Sequence, residues 1–126
     1  MSRHVIFTKD SPQPIGPFSQ AIRANGLVFL SGQVALDVAT GNLVGGDVAA
    51  QTEATLRNIS KVLEAAGSSL SKAVRVGVFL KNMSDFAAMN AVYARHFPAD
   101  PPARTTVEVS RLPKDALVEI EVIALA

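Results

Sequence analysis

The stretch KAVRVGVFLKNMSDFAAMNAVYARHFPADPPARTTVEV, residues 72–109, decides the fold. Its first ten residues alternate, with Val74, Val76, Val78 and Leu80 on one face, which predicts a strand. The period then changes. Phe86, Met89, Tyr93 and Phe97 recur at spacings of three and four, so a helix starts at Ser84 or Asp85. Pro98 ends it, because proline lacks the N–H and clashes with the preceding turn. Alternation resumes in RTTVEVS, residues 104–110.

Upstream, DVAAQTEATLRNISKVLEAAG (47–67) predicts a longer helix of about five turns. Asp47 is its cap, Val48, Thr52, Leu56, Ile59, Leu63 and Ala66 form its inner stripe, and Gly67 stops it. Before it, SQAIRA and LVFLSG flank Asn25-Gly26, a strong hairpin signal, since both residues tolerate the positive φ of a type I′ turn. HVIFT (4–8) reads as a short edge strand, SPQPIGP (11–17) and residues 37–46 as loops. ALVEIEVIALA (116–126) is a last strand, reached through RLPKD. The order β-ββ-α-β-α-ββ predicts a single α+β domain over 1–126: one mixed six-stranded sheet with two helices on one face. The other face carries Thr, Val, Phe and Leu as well as charges. A half-apolar uncovered sheet implies that another copy covers it.

Composition narrows the function. The 126 residues are 48% hydrophobic and 18% charged, which is globular. A net charge of +1, 6% aromatics and no Lys/Arg run argue against nucleic acid as a partner. No cysteine is present, so thiol nucleophiles, disulfides and cysteine metal sites are excluded. The two histidines, His4 and His96, show no metal-ligand spacing, and no GxSxG or phosphate-binding loop occurs. No apolar run approaches membrane-spanning length and MSRHVIFTKD carries no apolar leader segment, so a soluble cytoplasmic protein is expected.

A few residues remain as candidates for chemistry. Arg104 opens a strand behind Pro101-Pro102, and its planar fork suits a carboxylate. Spacing alone equally allows an exposed arginine in an ordinary ion pair, the commoner fate of such a residue. Thr106 shares its face. Glu119 and Glu121 share one face of the last strand, which turns apolar at Ile123 and Leu125; a carboxylate there is open to a raised pKa, or to simple solvation. Asn90 is a polar interruption within the apolar stripe of the second helix and must find partners. Ser31-Gly32 ends a hairpin strand, where small residues either admit a ligand to the backbone or only serve the turn.

Together, IGPFSQAI, VFLSGQVALD, DVAAQTEATLRNISKVLEAAG, NMSDFAAMNAVYARHFP and PARTTVEVSRLPKDALVEIEVIA resemble the RidA/YjgF/L-PSP family of reactive-intermediate imine deaminases. The resemblance runs from about residue 3 to 125, and the PAR segment, RLPKD and the closing EIE are its most specific parts. It implies a chorismate-mutase-like fold and a homotrimer with a central barrel of three sheets, with active sites in clefts between subunits. It also implies hydrolysis of 2-iminobutanoate and 2-iminopropanoate to 2-oxo acids and ammonia, without a cofactor. Carried over by motif, Arg104 binds the substrate carboxylate, Glu119 positions or activates water, and Ser31, Gly32 and Asn90 line the pocket. Two departures are visible. Phe18 stands where many members have tyrosine, and Thr106 where many bacterial members have cysteine. The loop from Phe97 to Arg104 is also short. Two other readings accompany the family: endoribonuclease or translation-inhibitor activity, and a non-catalytic trimer that binds small ligands.

Overall fold

In the computed structural model, which describes residues 2–126, six strands form one sheet. They are β1 (Arg3–Ile6), β2 (Ala21–Ala24), β3 (Leu27–Leu30), β4 (Ala73–Leu80), β5 (Ala103–Glu108) and β6 (Val118–Leu125), in the order β1-β2-β3-β6-β4-β5. Only β4 and β5 run parallel, joined through a helix as a parallel pair requires. The two helices, α1 (Val48–Ala65) and α2 (Phe86–His96), lie on the same face. The predicted mixed sheet with helices on one face is what forms, in the predicted order. At the hairpin, Asn25 and Gly26 take φ of 53° and 78°, as the Asn-Gly pair predicts.

The strand alternation separates two environments. Val28, Val76, Val78, Val118, Ile120 and Val122 point to the helices and pack against Leu56, Ile59, Leu63 and Met89 in the main core. Val74 departs from the expected stripe. A bulge at the start of β4, between the Ala73 and Arg75 pairings, leaves it 40% exposed. On the opposite face Val5, Phe29 and Leu125 remain 60%, 41% and 50% exposed. A second small core of Val34, Leu36, Leu112 and Ala116 fixes the segment after β3 against the RLPKD turn. Among the described residues, no helix is long and apolar enough to cross a membrane.

Helix α1 does more than fill the core. Asp47 caps it, accepting from the Ala50 N–H at 3.0 Å, and Arg23 donates to the Ala66 carbonyl at its end. Two buried amides on its inner side hold the loops. Asn58 donates to the Leu36 carbonyl, and Gln51 joins the Val44 carbonyl to the Leu117 N–H. Across to α2, His96 Nε2 lies 2.9 Å from Glu53 Oε1. That hydrogen bond, helped by the charges of His96 and Arg57 against the opposing effect of burial, holds the Glu53 carboxyl below its ordinary value.

A carboxyl whose pKa is lowered by folding adds stability above its unfolded value of about 4.3 and loses it as pH falls through the lower folded value. Glu53→Gln should therefore unfold at lower urea than the parent at pH 7, with the gap closing near pH 3. A gap that is constant across that range would show the contact to be packing alone.

Candidate active site

Neighbouring strands decide where the candidate residues point. Arg104 lies opposite Val76, and Thr106 opposite Val78, so both face the helices. Glu119 lies opposite Phe79 and between the buried Val118 and Ile120, so it faces the open side. The two residues expected to act on one substrate thus occupy opposite faces of the sheet, in two separate recesses.

The first recess, of about 370 Å³, is bounded by Asn90, Tyr93, Phe97, Pro101, Pro102 and Arg104. Here the Pro-Pro approach has a physical role: both rings form a wall beside the guanidinium. The Arg104 Cζ sits 4.6 Å from the centre of the Tyr93 ring and 5.6 Å from that of Phe86, within cation–π range of both. These rings stand three and four residues from Asn90 on α2, so the helix holds the cation and presents the amide together. Among the described residues, Arg104 forms no ion pair. Among the described residues, the buried Asn90 Oδ1 and Thr106 Oγ1 find no hydrogen-bond partner, and the buried Tyr93 OH has only the Arg104 guanidinium beside it. Burial pushes the Tyr93 phenol up, so it stays neutral despite the nearby guanidinium.

The second recess, of about 350 Å³, gathers Phe18, Ser31, Gly32, Gln33 and Glu119 with a largely apolar wall. Burial, reinforced by the like charge of Glu121, pushes the Glu119 carboxyl up. Its carboxylate lies directly against Gly32: a Cβ built on Gly32 would fall 2.1 Å from Glu119 Oε2. Gly32 therefore acts by leaving room for this carboxylate. Ser31 is partly committed, because its hydroxyl donates to the Ser19 carbonyl at 2.7 Å. Its oxygen remains an acceptor. Gln33 exchanges two backbone hydrogen bonds with Ile120 and so ties this segment beside Glu119. Phe18 is half-exposed at the rim, its ring resting on Gly16.

Sequence reasoning missed three residues that build these recesses. Phe86 and Tyr93 read as core positions; Tyr93 is buried, but Phe86 is 38% exposed and stacks on Arg104. Gln20, 2% exposed, was hidden inside a strand-like run. Its amide accepts from the Thr8 N–H and donates to the carbonyls of Thr8, Ser11 and Pro12, locking the loop that forms the rim of the Glu119 recess. No pattern in one sequence separates such an amide from a solvated one. Among the described residues, no group of three or more His, Asp or Glu gathers to hold a metal ion.

The profile of the family described as Endoribonuclease L-PSP matches residues 8–126. A RutC family protein of Pyrococcus horikoshii is 55% identical over 122 residues, 97% of either chain. The chloroplastic Reactive Intermediate Deaminase A of Arabidopsis thaliana is 44% identical over 124 residues, 98% of this chain and 66% of that protein. Among solved structures, YyfA of Yersinia pestis, of the conserved Rid protein family, shares 47% identity with a TM-score of 0.97, over 99% of this chain and 100% of that one. The structure of Escherichia coli TdcF with bound serine matches at TM-score 0.91 and 36% identity, over 98% of each chain.

Ionising Glu119 in the folded chain costs stability, because its folded pKa is raised. The cost is absent below the unfolded value of about 4.3, sets in as pH rises past it, and is complete above the folded value. Glu119→Gln should thus melt higher than the parent at pH 8 and with it at pH 4. Equal melting at both would show that the carboxyl is solvated.

Proposed function

The chain belongs to the RidA/YjgF/L-PSP family, and on that premise we propose that it hydrolyses 2-imino acids to 2-oxo acids and ammonia at sites shared between the subunits of a homotrimer. One observation carries this reading: the Arg104 guanidinium is held by two aromatic rings, has no carboxylate partner among the described residues, and shares its recess with the buried, unpartnered Asn90 Oδ1. A half-buried cation with no carboxylate beside it suits a small anion that brings its own hydrogen-bonding groups. The naming of the Arabidopsis relative as a deaminase and the serine bound to TdcF support a small substrate with an amino-acid backbone.

In this reading the substrate carboxylate takes the two parallel N–H groups of Arg104, and Asn90 and Thr106 meet its remaining polar atoms. The imine carbon is then presented to Glu119 of a neighbouring subunit, since the two residues of one chain lie on opposite faces. A protonated imine is already electrophilic, so orienting it and a water accounts for most of the work. Glu119, with its pKa raised toward neutral pH by burial, takes a proton as the water oxygen bonds to C2. Proton return from Glu119 to nitrogen lets the C–N bond break, releasing ammonia as Glu119 takes the remaining O–H proton and the carbonyl forms. The exposed apolar positions Val5, Phe29 and Leu125 are the surface that two further copies would cover. The polar groups available do not favour RNA: net charge is +1, and the most conspicuous arginine sits in a recess sized for a small anion.

The test is a coupled assay in which an amino-acid oxidase generates the imine in the presence of semicarbazide. Wild-type protein should suppress semicarbazone formation. Arg104→Ala and Arg104→Lys should each lose at least about 100-fold in kcat/KM, because two charge-assisted hydrogen bonds go and an ammonium cannot restore the fork. Co-refolding Arg104→Ala with inactive Glu119→Gln chains should restore activity, because mixed trimers contain sites with both native residues. Near-normal Arg104→Lys activity, or no restoration from an assembled mixture, would refute the carboxylate clamp or the shared site respectively.

A further inference from the structure

The recess that holds Glu119 is much larger than a methyl or ethyl group needs. Its volume of about 350 Å³ is that of roughly ten liquid waters. Its wall is formed by Pro12, Pro14, Ile15, Phe18, Val34 and Leu36. Of the polar groups beside that wall, the Gln20 amide is engaged by Thr8, Ser11 and Pro12 and the Ser31 hydroxyl by Ser19, while the side-chain amides of Gln13 and Gln33 complete the lining. Phe18 offers the rim a ring with no hydroxyl, and Ile15 beside it is 67% exposed, an apolar side chain with little to cover it. The four hydrogen bonds of Gln20 fix the loop that carries Pro12, so this end of the wall is preformed.

Resting on the deaminase reading, we infer that this chain selects 2-imino acids with bulky apolar side chains, branched or aromatic, over 2-iminopropanoate. With the imine carbon at Glu119, the substrate side chain is directed into the apolar recess. Each methylene moved from water into such a wall favours binding by up to about fourfold. A polar side chain of the same size meets a mostly apolar wall, with the Ser31 oxygen and the Gln33 amide as its few partners, and is penalised by its lost hydration. Phe18 and Ile15 are specificity-determining residues, and Glu119 and Arg104 act on every substrate alike.

The experiment measures kcat/KM for imines made in situ by a broad amino-acid oxidase from alanine, asparagine and leucine. Leucine and asparagine give side chains of similar size and opposite polarity. The leucine-derived imine should exceed the alanine-derived one by about tenfold, as expected for three extra carbons partly buried, and should also exceed the asparagine-derived one. Phe18→Ala should lower the leucine-to-alanine ratio at least threefold. A ratio of one or below, with the alanine-derived imine turned over, overturns the inference and leaves the deaminase reading standing. Absence of turnover on every imine overturns the deaminase reading. The recess is then tested directly by calorimetric titration with pyruvate and 4-methyl-2-oxopentanoate. About tenfold tighter binding of the branched acid supports the selectivity, and equal binding overturns it.

Discussion

The register of β4 against its two neighbours is the constraint on which the rest depends. Val76 stands opposite Arg104 on one side and Val122 on the other, and Phe79 stands opposite Val107 and Glu119. Because side chains alternate with a period of two, these pairings send Arg104 to the helices and Glu119 away from them. A one-residue slip of β5 would turn Arg104 toward the open face and put Thr105 against α2. The valines of β4 and β6, held in the core with Leu56, Ile59 and Met89, fix the pleat that decides which β5 positions face the helices. The position of the charge is therefore set by apolar burial on the strands beside it.

Most of the fold was legible for that reason. Alternation in 73–80 and 118–125, the three-four spacing from Val48 to Leu63 and the Asn-Gly turn each report on burial, which a single sequence records residue by residue. Val74 escaped because a bulge breaks the period without changing composition. The candidate site was less legible. Arg104, Glu119, Asn90 and Ser31-Gly32 were visible as residues, but the sequence pattern does not say which recess each one enters. Gln20, Gln51 and Asn58 act through backbone groups of distant loops. Such contacts depend on the closed tertiary structure and leave no local period. Glycine 32 gives the sharpest case: its role is defined by the carboxylate of a residue 87 positions later, and nothing around it in the chain points there.

Residues that never touch a ligand carry much of the geometry. Gln20 locks the rim loop, Gln33 ties the 31–34 segment to β6, and the small core of Val34, Leu36, Leu112 and Ala116 holds that segment against the RLPKD turn. In that turn Lys114 and Asp115 both adopt positive φ, a conformation that costs non-glycine residues free energy and persists where surrounding structure enforces it. The Glu119 recess is thus bounded by elements fixed independently of its occupant. A wall built this way discriminates by shape and polarity, because it does not relax around a poor fit.

Keeping Arg104 and Glu119 apart within one chain has a chemical consequence. Side by side, they would form an ion pair. The guanidinium would then be neutralised before a substrate carboxylate arrived, and its charge would drive the Glu119 pKa down. On opposite faces neither happens. Arg104 is held by the rings of Tyr93 and Phe86, which orient the cation and leave it without a carboxylate partner among the described residues. Glu119 lies among apolar groups beside Glu121, and burial together with that like charge pushes its pKa up. In the proposed assembly the two meet only across a subunit boundary, where a bound imino acid separates them and its own carboxylate answers the arginine. The fold thus keeps each of the two charges from the other within one chain, which leaves both free for the roles proposed for them.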